Sequence, residues 1–193
     1  MKTKLSSILA AACATALLAC AGGDDDVTVS DENADEAAAQ GSDQNQDTAE
    51  LSLPEQIAVI EQRVDATNAR DWDSWQALHT EDAIRTAPEL EEPLEGAAAM
   101  RAAIETLSTA FPDYHLELTQ AFGQGPWLAV RLHTTGTMTG PLMLSDGSSV
   151  PATGQPIEQD WAALVRFEGA RIAEFHEFYD QLLLMAQLGL IAP

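Results

Sequence analysis

The chain is poor in cysteine. It has two, Cys13 and Cys20, both within its first twenty residues. Everything after them lacks a thiol, which excludes a disulfide framework, a cysteine nucleophile and a thiolate metal site. Lysine is absent beyond Lys4. From Leu51 onward seven arginines stand against 21 acidic residues, and the whole chain carries a net charge of −22. Such a charge repels nucleic acid and anionic lipid head groups, so no nucleic-acid partner is expected. The four histidines, His79, His115, His133 and His176, show no paired ligand spacing, and no metal site is expected. There is no Gly-x-Ser-x-Gly elbow for a serine hydrolase. There is no Gly-Lys-Ser/Thr phosphate loop, and Gly123-Gln124-Gly125 leads into Pro126, not into a helix.

Long apolar runs are also missing. The longest, Leu5 to Leu18, falls short of the about 20 residues a membrane helix needs. Behind the positive Lys2 and Lys4 it reads instead as the core of a secretion signal, residues 1–19. Leu17-Leu18-Ala19-Cys20 matches a bacterial lipobox, so Cys20 is expected to carry lipid and tie the chain to a membrane of the cell envelope. Each buried acyl methylene contributes about 0.8 kcal/mol, and more than one chain makes a stable anchor. Ala21 follows the cysteine where an aspartate would argue for inner-membrane retention, which favours the outer membrane or cell surface.

Residues 21–50 hold ten acidic residues and no Lys or Arg, in a background of Ala, Gly, Ser, Gln and Asn. A segment of that kind cannot bury enough apolar surface to offset its ordering entropy, and it reads as a spacer. Residues 51–193 are long enough for one domain with its own core.

Within that domain the apolar period changes once. Ser52 and Glu55 form a capping-box pattern before Ile57, Ile60 and Val64, a helical face to about Ala69. Asp71 can cap a short helix carrying Trp72 and Trp75, a pair that suits either core packing or a ligand platform. Met100, Ile104 and Leu107 mark a third helix from about Ala97 to Ser108. Pro112 disfavours helix at Phe111. Beyond it the period is two, with strands expected near 114–122, 126–138, 156–167 and 171–180, and a short one near 83–87. Residues 140–155 read as a long hairpin loop, and Leu182 to Leu190 as a short apolar helix that needs cover. The fold class is α+β: a strongly curved antiparallel sheet against about three helices, closing a cone around a pocket.

Alternation decides which side chains meet. Phe175, Glu177 and Tyr179 share one face of the last strand; Glu174, His176, Phe178 and Asp180 share the other. Arg131, His133 and Thr135 share a face, as do Gln159, Trp161, Ala163 and Val165. Glu177 among Phe175, Trp161 and Tyr179 is a carboxyl whose pKa burial raises and a neighbouring Arg131 lowers. A buried Arg131–Glu177 pair is the structural alternative. His133 is placed on the same face, as acid, base or donor. His176 is expected on the outer face, and His79 and His115 at the surface or at element ends. Arg85 is expected at the pocket mouth with Tyr179.

Phe111-Pro112-Asp113, Ala129-Val130-Arg131, Gly136-Thr137-Met138-Thr139-Gly140, Pro93-Leu94-Glu95-Gly96 and Gln187-Leu188-Gly189-Leu190 occur here in order and spacing. With Trp72, Trp75, Asp82, Phe167 to Ile172 and Asp180, they resemble the SnoaL-like polyketide cyclases of the NTF2-like fold. The resemblance covers about residues 54–190. It implies a cone that is often homodimeric through the outer sheet face, and acid/base catalysis without metal or organic cofactor. It places the acid/base carboxyl at Glu177, with Asp180 or Glu174 as the alternative register. Where those cyclases present polar partners, including a histidine, this chain has Trp161 and Ala163, and the turn histidine is Met138. The Arg-x-Asp pair of related epoxide hydrolases is here Arg131-x-His133. The candidate catalytic residues are therefore Glu177, His133 and Asp180. The candidate ligand contacts are Arg131, Trp161, Tyr179, Phe175, Gln159, Arg85 and Trp75. The expected ligand is a hydrophobic small molecule, and two classes stay open: cofactor-free cyclisation or isomerisation, and binding without turnover.

Overall fold

The computed structural model describes residues 50–144 and 147–191. The signal, the lipidated Cys20 and the acidic spacer expected from the sequence lie outside them. Helix α1 spans Leu53–Ala69, and the Glu55 carboxylate reaches back to accept from the Ser52 amide at 2.8 Å. Helix α2 is Trp72–Ala77, capped where Asp71 accepts from the Ser74 amide. Helix α3 is Ala97–Ala110 and ends against Pro112. A fourth, α4, covers Gln181–Gln187.

The strands are β1 (His79–Thr86), β2 (Leu94–Glu95), β3 (His115–Gln124), β4 (Trp127–Thr137), β7 (Pro156–Glu168) and β8 (Arg171–Phe178), in the spatial order β2-β1-β8-β7-β4-β3. Every pairing is antiparallel except β1 with β8, which is parallel. The sheet is antiparallel-dominated, as expected, with this one parallel pairing. That pairing is what brings the segment after the helices beside the last strand. Irregularities between Leu118 and Gln120 and between Arg166 and Phe167 break the ladder, and breaks of this kind bend a sheet. The expected loop at 140–155 contains a small hairpin of β5 (Leu142–Met143) and β6 (Ser149–Val150).

The helices pack on one sheet face. Ile60, Val64, Trp75 and Met100 meet Leu128, Val130, Leu132, Ala163, Val165 and Phe175 in one core. Asn68 pins α1 to β3 by donating to and accepting from the Leu116 backbone, at 2.8 and 2.9 Å. Two of the motifs are one structural joint. The Asp113 carboxylate accepts from both the amide and the hydroxyl of Thr137, at 2.6 and 2.7 Å. Beside it, a Cβ on Gly140 would strike the Thr109 carbonyl oxygen. Only glycine permits that approach. Helix α4 packs Leu188 into a second, smaller cluster with Phe111 and Met138, and leaves Leu182 and Leu183 exposed.

Candidate functional site

The register settles which residues face inward. Ala163 pairs with Glu177 and with Val130, so Val130, Ala163 and Glu177 share the core-facing side. Leu128, Leu132 and Thr134 on β4 and Gln159, Trp161 and Val165 on β7 follow by alternation. Glu177 therefore points into the cone. Its partner is not Arg131. The Arg85 guanidinium donates to it twice, Nε to Oε1 at 2.9 Å and an Nη to Oε2 at 2.7 Å. The two side chains are only 17% and 10% exposed. The parallel β1–β8 pairing sets Arg85 opposite Phe175, two residues from Glu177.

The network continues outward. Arg85 also donates to Glu89 at 2.8 Å, and the Tyr179 hydroxyl donates to the other Glu89 oxygen at 2.6 Å. Burial opposes charge on Arg85, but the Glu177 and Glu89 carboxylates outweigh it and raise the guanidinium further above its usual range. Burial, and then the bond to Glu89, push the Tyr179 phenol up, so it is held as a donor. Further in, the Trp161 indole donates to the Thr134 hydroxyl at 2.8 Å, and its ring stands edge-on to Phe175.

Two placements correct the expectations from sequence. Arg131 and His133 do share a face, but it is the outer one. Arg131 pairs with Ala162, which pairs with the exposed Phe178. Both bind Asp160, at 2.6 and 2.9 Å, and the Arg131–Asp160 pair is half exposed. The reason lies in β4 itself: Leu128, Val130 and Leu132 take the buried parity and leave the odd-numbered residues outside. His79 does stand at an element end, the first residue of β1, but it is buried there. Its Nδ1 meets the Trp75 carbonyl at 2.9 Å, and burial, aided by the nearby Arg63 charge, lowers its pKa to about 3.

The remaining candidates take structural places. Asp180 is exposed and caps α4 by accepting from the Leu183 amide. Gln159 is buried and donates to the Asp180 carbonyl, tying β7 to the end of β8. Phe175 and Trp75 are core residues. Glu174 and His176 lie on the outer face, bonded to each other at 2.8 Å.

The expected pocket beside Glu177 is not among the two best-formed concavities of the described residues. The two marked concavities lie elsewhere, one of about 550 Å³ around Asp113, Thr137 and Gln187, the other of about 510 Å³ around Arg70, Trp72 and Pro112. Arg85 from β1 and Arg63 from α1 bring two guanidinium groups to the neighbourhood of Glu177.

Arg63 is the residue missed from the sequence. It is 5% exposed, with its guanidinium carbon 4.0 Å from the Phe175 ring centre and 5.0 Å from that of Trp75. One signal could have found it. It sits three residues after Ile60 and one before Val64, a charge on the apolar stripe of α1. Among the described residues there is no cluster of three or more metal-ligating side chains.

The profile of the SnoaL-like polyketide cyclase family matches residues 57–188. No curated protein matches the chain. Solved structures do. A candidate SnoaL-like polyketide cyclase from Jannaschia sp. CCS1 is 21% identical, with a TM-score of 0.63 over 79% of this chain and 99% of that one. TsrD from Streptomyces laurentii is 23% identical, with a TM-score of 0.63 over 73% and 99%. IdmH from Streptomyces antibioticus, a candidate polyketide cyclase, is 24% identical, with a TM-score of 0.58 over 69% and 98%. The chain belongs to the SnoaL-like polyketide cyclase family, and its fold is NTF2-like.

Proposed function

We propose that the domain binds a small hydrophobic molecule at the open end of its cone and moves protons on it with Glu177, without a cofactor. The reaction class is cyclisation or isomerisation. The observation that carries this is the inward Glu177, a carboxylate in a largely buried place held by two hydrogen bonds from Arg85. A carboxylate has about four lone-pair sites, so the Arg85 clamp leaves acceptor capacity for a substrate proton. A buried charge is costly unless it is paired or used, and the pairing here also fixes where the base points. The Tyr179–Glu89 bond stands beside the pair, and a ligand reaches Glu177 by parting it.

Binding without turnover is the second reading. What favours it is that Trp161 and Ala163 stand where the family's cyclases offer polar partners, and that both Glu177 oxygens are already engaged. Glu177→Gln separates the two. An enzyme loses turnover by at least about a hundredfold, the low end of general acid–base contributions, while keeping its ligand. A binding module changes affinity alone. Retained turnover in this variant overturns the catalytic assignment.

We further propose that lipid on Cys20 holds the domain at the envelope and that two copies pair through the outer sheet face. Phe122 and Phe178, 67% and 55% exposed, lie there with Leu164 and Trp127. Cys20→Ala is expected to move the protein from the membrane to the soluble fraction. Phe122→Glu with Phe178→Glu is expected to halve the mass seen by light scattering. An unchanged mass rules this face out.

A further inference from the structure

The proposed site leaves one buried charge unexplained. Arg63 lies inside the cone within electrostatic reach of Glu177, Tyr114 and Arg85. Its Nε is buried and has no hydrogen-bond partner among the described residues. The carboxylate whose charge favours it most, Glu177, is bonded to Arg85 and makes no hydrogen bond to Arg63. The Phe175 and Trp75 rings lie within 4.0 and 5.0 Å of the guanidinium carbon. A guanidinium held against aromatic rings keeps its planar fork fixed while its N–H donors, which lie in the plane, stay available. His79 nearby is held neutral and so adds no second positive charge beside Arg63. Arg85 is thus matched by Glu177 and Glu89, whereas Arg63 has no hydrogen-bonded carboxylate among the described residues and keeps one buried donor without a partner.

We infer that Arg63 is the anchor for an oxyanion of the ligand, a carboxylate, at the inner end of the cone. This rests on the proposed ligand chamber and narrows its substrate class to hydrophobic acids. A planar fork suits a carboxylate's two oxygens, and charge-assisted bonds of that kind are about twice as strong as neutral ones. In this arrangement the carboxylate lies at Arg63 and the apolar remainder lies toward the mouth, past Trp161. Arg63 sets which molecule enters and how it is turned toward Glu177.

The test uses the full chain and a matched pair of probes, 4-phenylbutyrate and its neutral amide, followed by titration calorimetry. The acid is expected to bind at least tenfold more tightly than the amide. Arg63→Met is expected to erase that preference, and Arg63→Lys to restore part of it. Arg131→Met, on the outer face, should leave the preference in place. In the unsubstituted chain, the Nε–H resonance of Arg63 should move with the acid and stay still with the amide, which gives a readout even where Arg63→Met folds poorly. Equal binding of acid and amide overturns the anchor while the chamber stands. An acid preference that survives Arg63→Met, or an acid that leaves the Nε–H resonance unmoved, does the same. Binding of neither probe overturns both.

Discussion

The two faces of the sheet carry the same kinds of residues and use them differently. Outside, Arg131–Asp160 is a half-exposed ion pair, Arg166–Glu174 a partly exposed one, and His133 and His176 hydrogen-bond to the same carboxylates. Screening and side-chain entropy keep exposed pairs to about 0–1 kcal/mol, so these settle solubility and orientation more than stability. Inside, Arg85–Glu177 is a bidentate pair with little solvent, and Arg63 is a charge with rings in place of a carboxylate. Burial makes each inner group costly to strand. The difference is one of parity and register rather than of composition.

The comparison is broken most sharply at Arg85. Arg85→Met strands Glu177, and a loss of about 3 kcal/mol is expected, read from the urea midpoint. Adding Glu177→Leu should recover most of it, because an apolar pair replaces an ionic one. Failure of the double variant to recover would show that the pair is not the source of the loss.

Acid sharpens the comparison next. Unfolded His79 takes up a proton near pH 6.5, while the folded ring resists until about pH 3. Its contribution is therefore complete above pH 6.5 and fades as pH falls through that window. At pH 5 the cost is about 2 kcal/mol relative to neutral pH. His79→Asn, whose amide nitrogen stands in for Nδ1, should lack that increment. The difference between the two stability curves measures it.

Trp161→Phe keeps the ring against Phe175 and removes the donor to Thr134, so about 1 kcal/mol should be lost. Arg131→Met, on the outer face, should stay within about 1 kcal/mol of the unsubstituted chain in the same urea experiment. An effect there as large as at Arg85 would erase the distinction between the faces.

Much of the fold was legible. The Ser52–Glu55 box, the Asp71 cap, Pro112 and the change of period place α1 to α3 and the long strands within a few residues, since all are local signals. The site was half legible. Alternation set Glu177 with Phe175 and apart from His176, as the structure has it. It could not say which face of β4 turns inward relative to β8, because relative phase is fixed by pairing between strands. The parity of Leu128, Val130 and Leu132 held that answer, and it outranks the pull of a histidine beside an arginine. Arg85 as the partner of Glu177 was out of reach, since 92 residues separate them and only the parallel β1–β8 pairing joins them. β2 and the β5–β6 hairpin have strands of two residues each, too short to show a period.

The most direct measurement labels the four tryptophans with fluorine and titrates the full chain with 4-phenylbutyrate while watching each resonance. Trp161 looks inward beside Phe175, and Trp127 stacks on His176 outside. The expected result is a saturable shift of Trp161 with Trp127 unmoved. A shift confined to Trp127 would place the ligand on the outer face and contradict the inward Glu177 site.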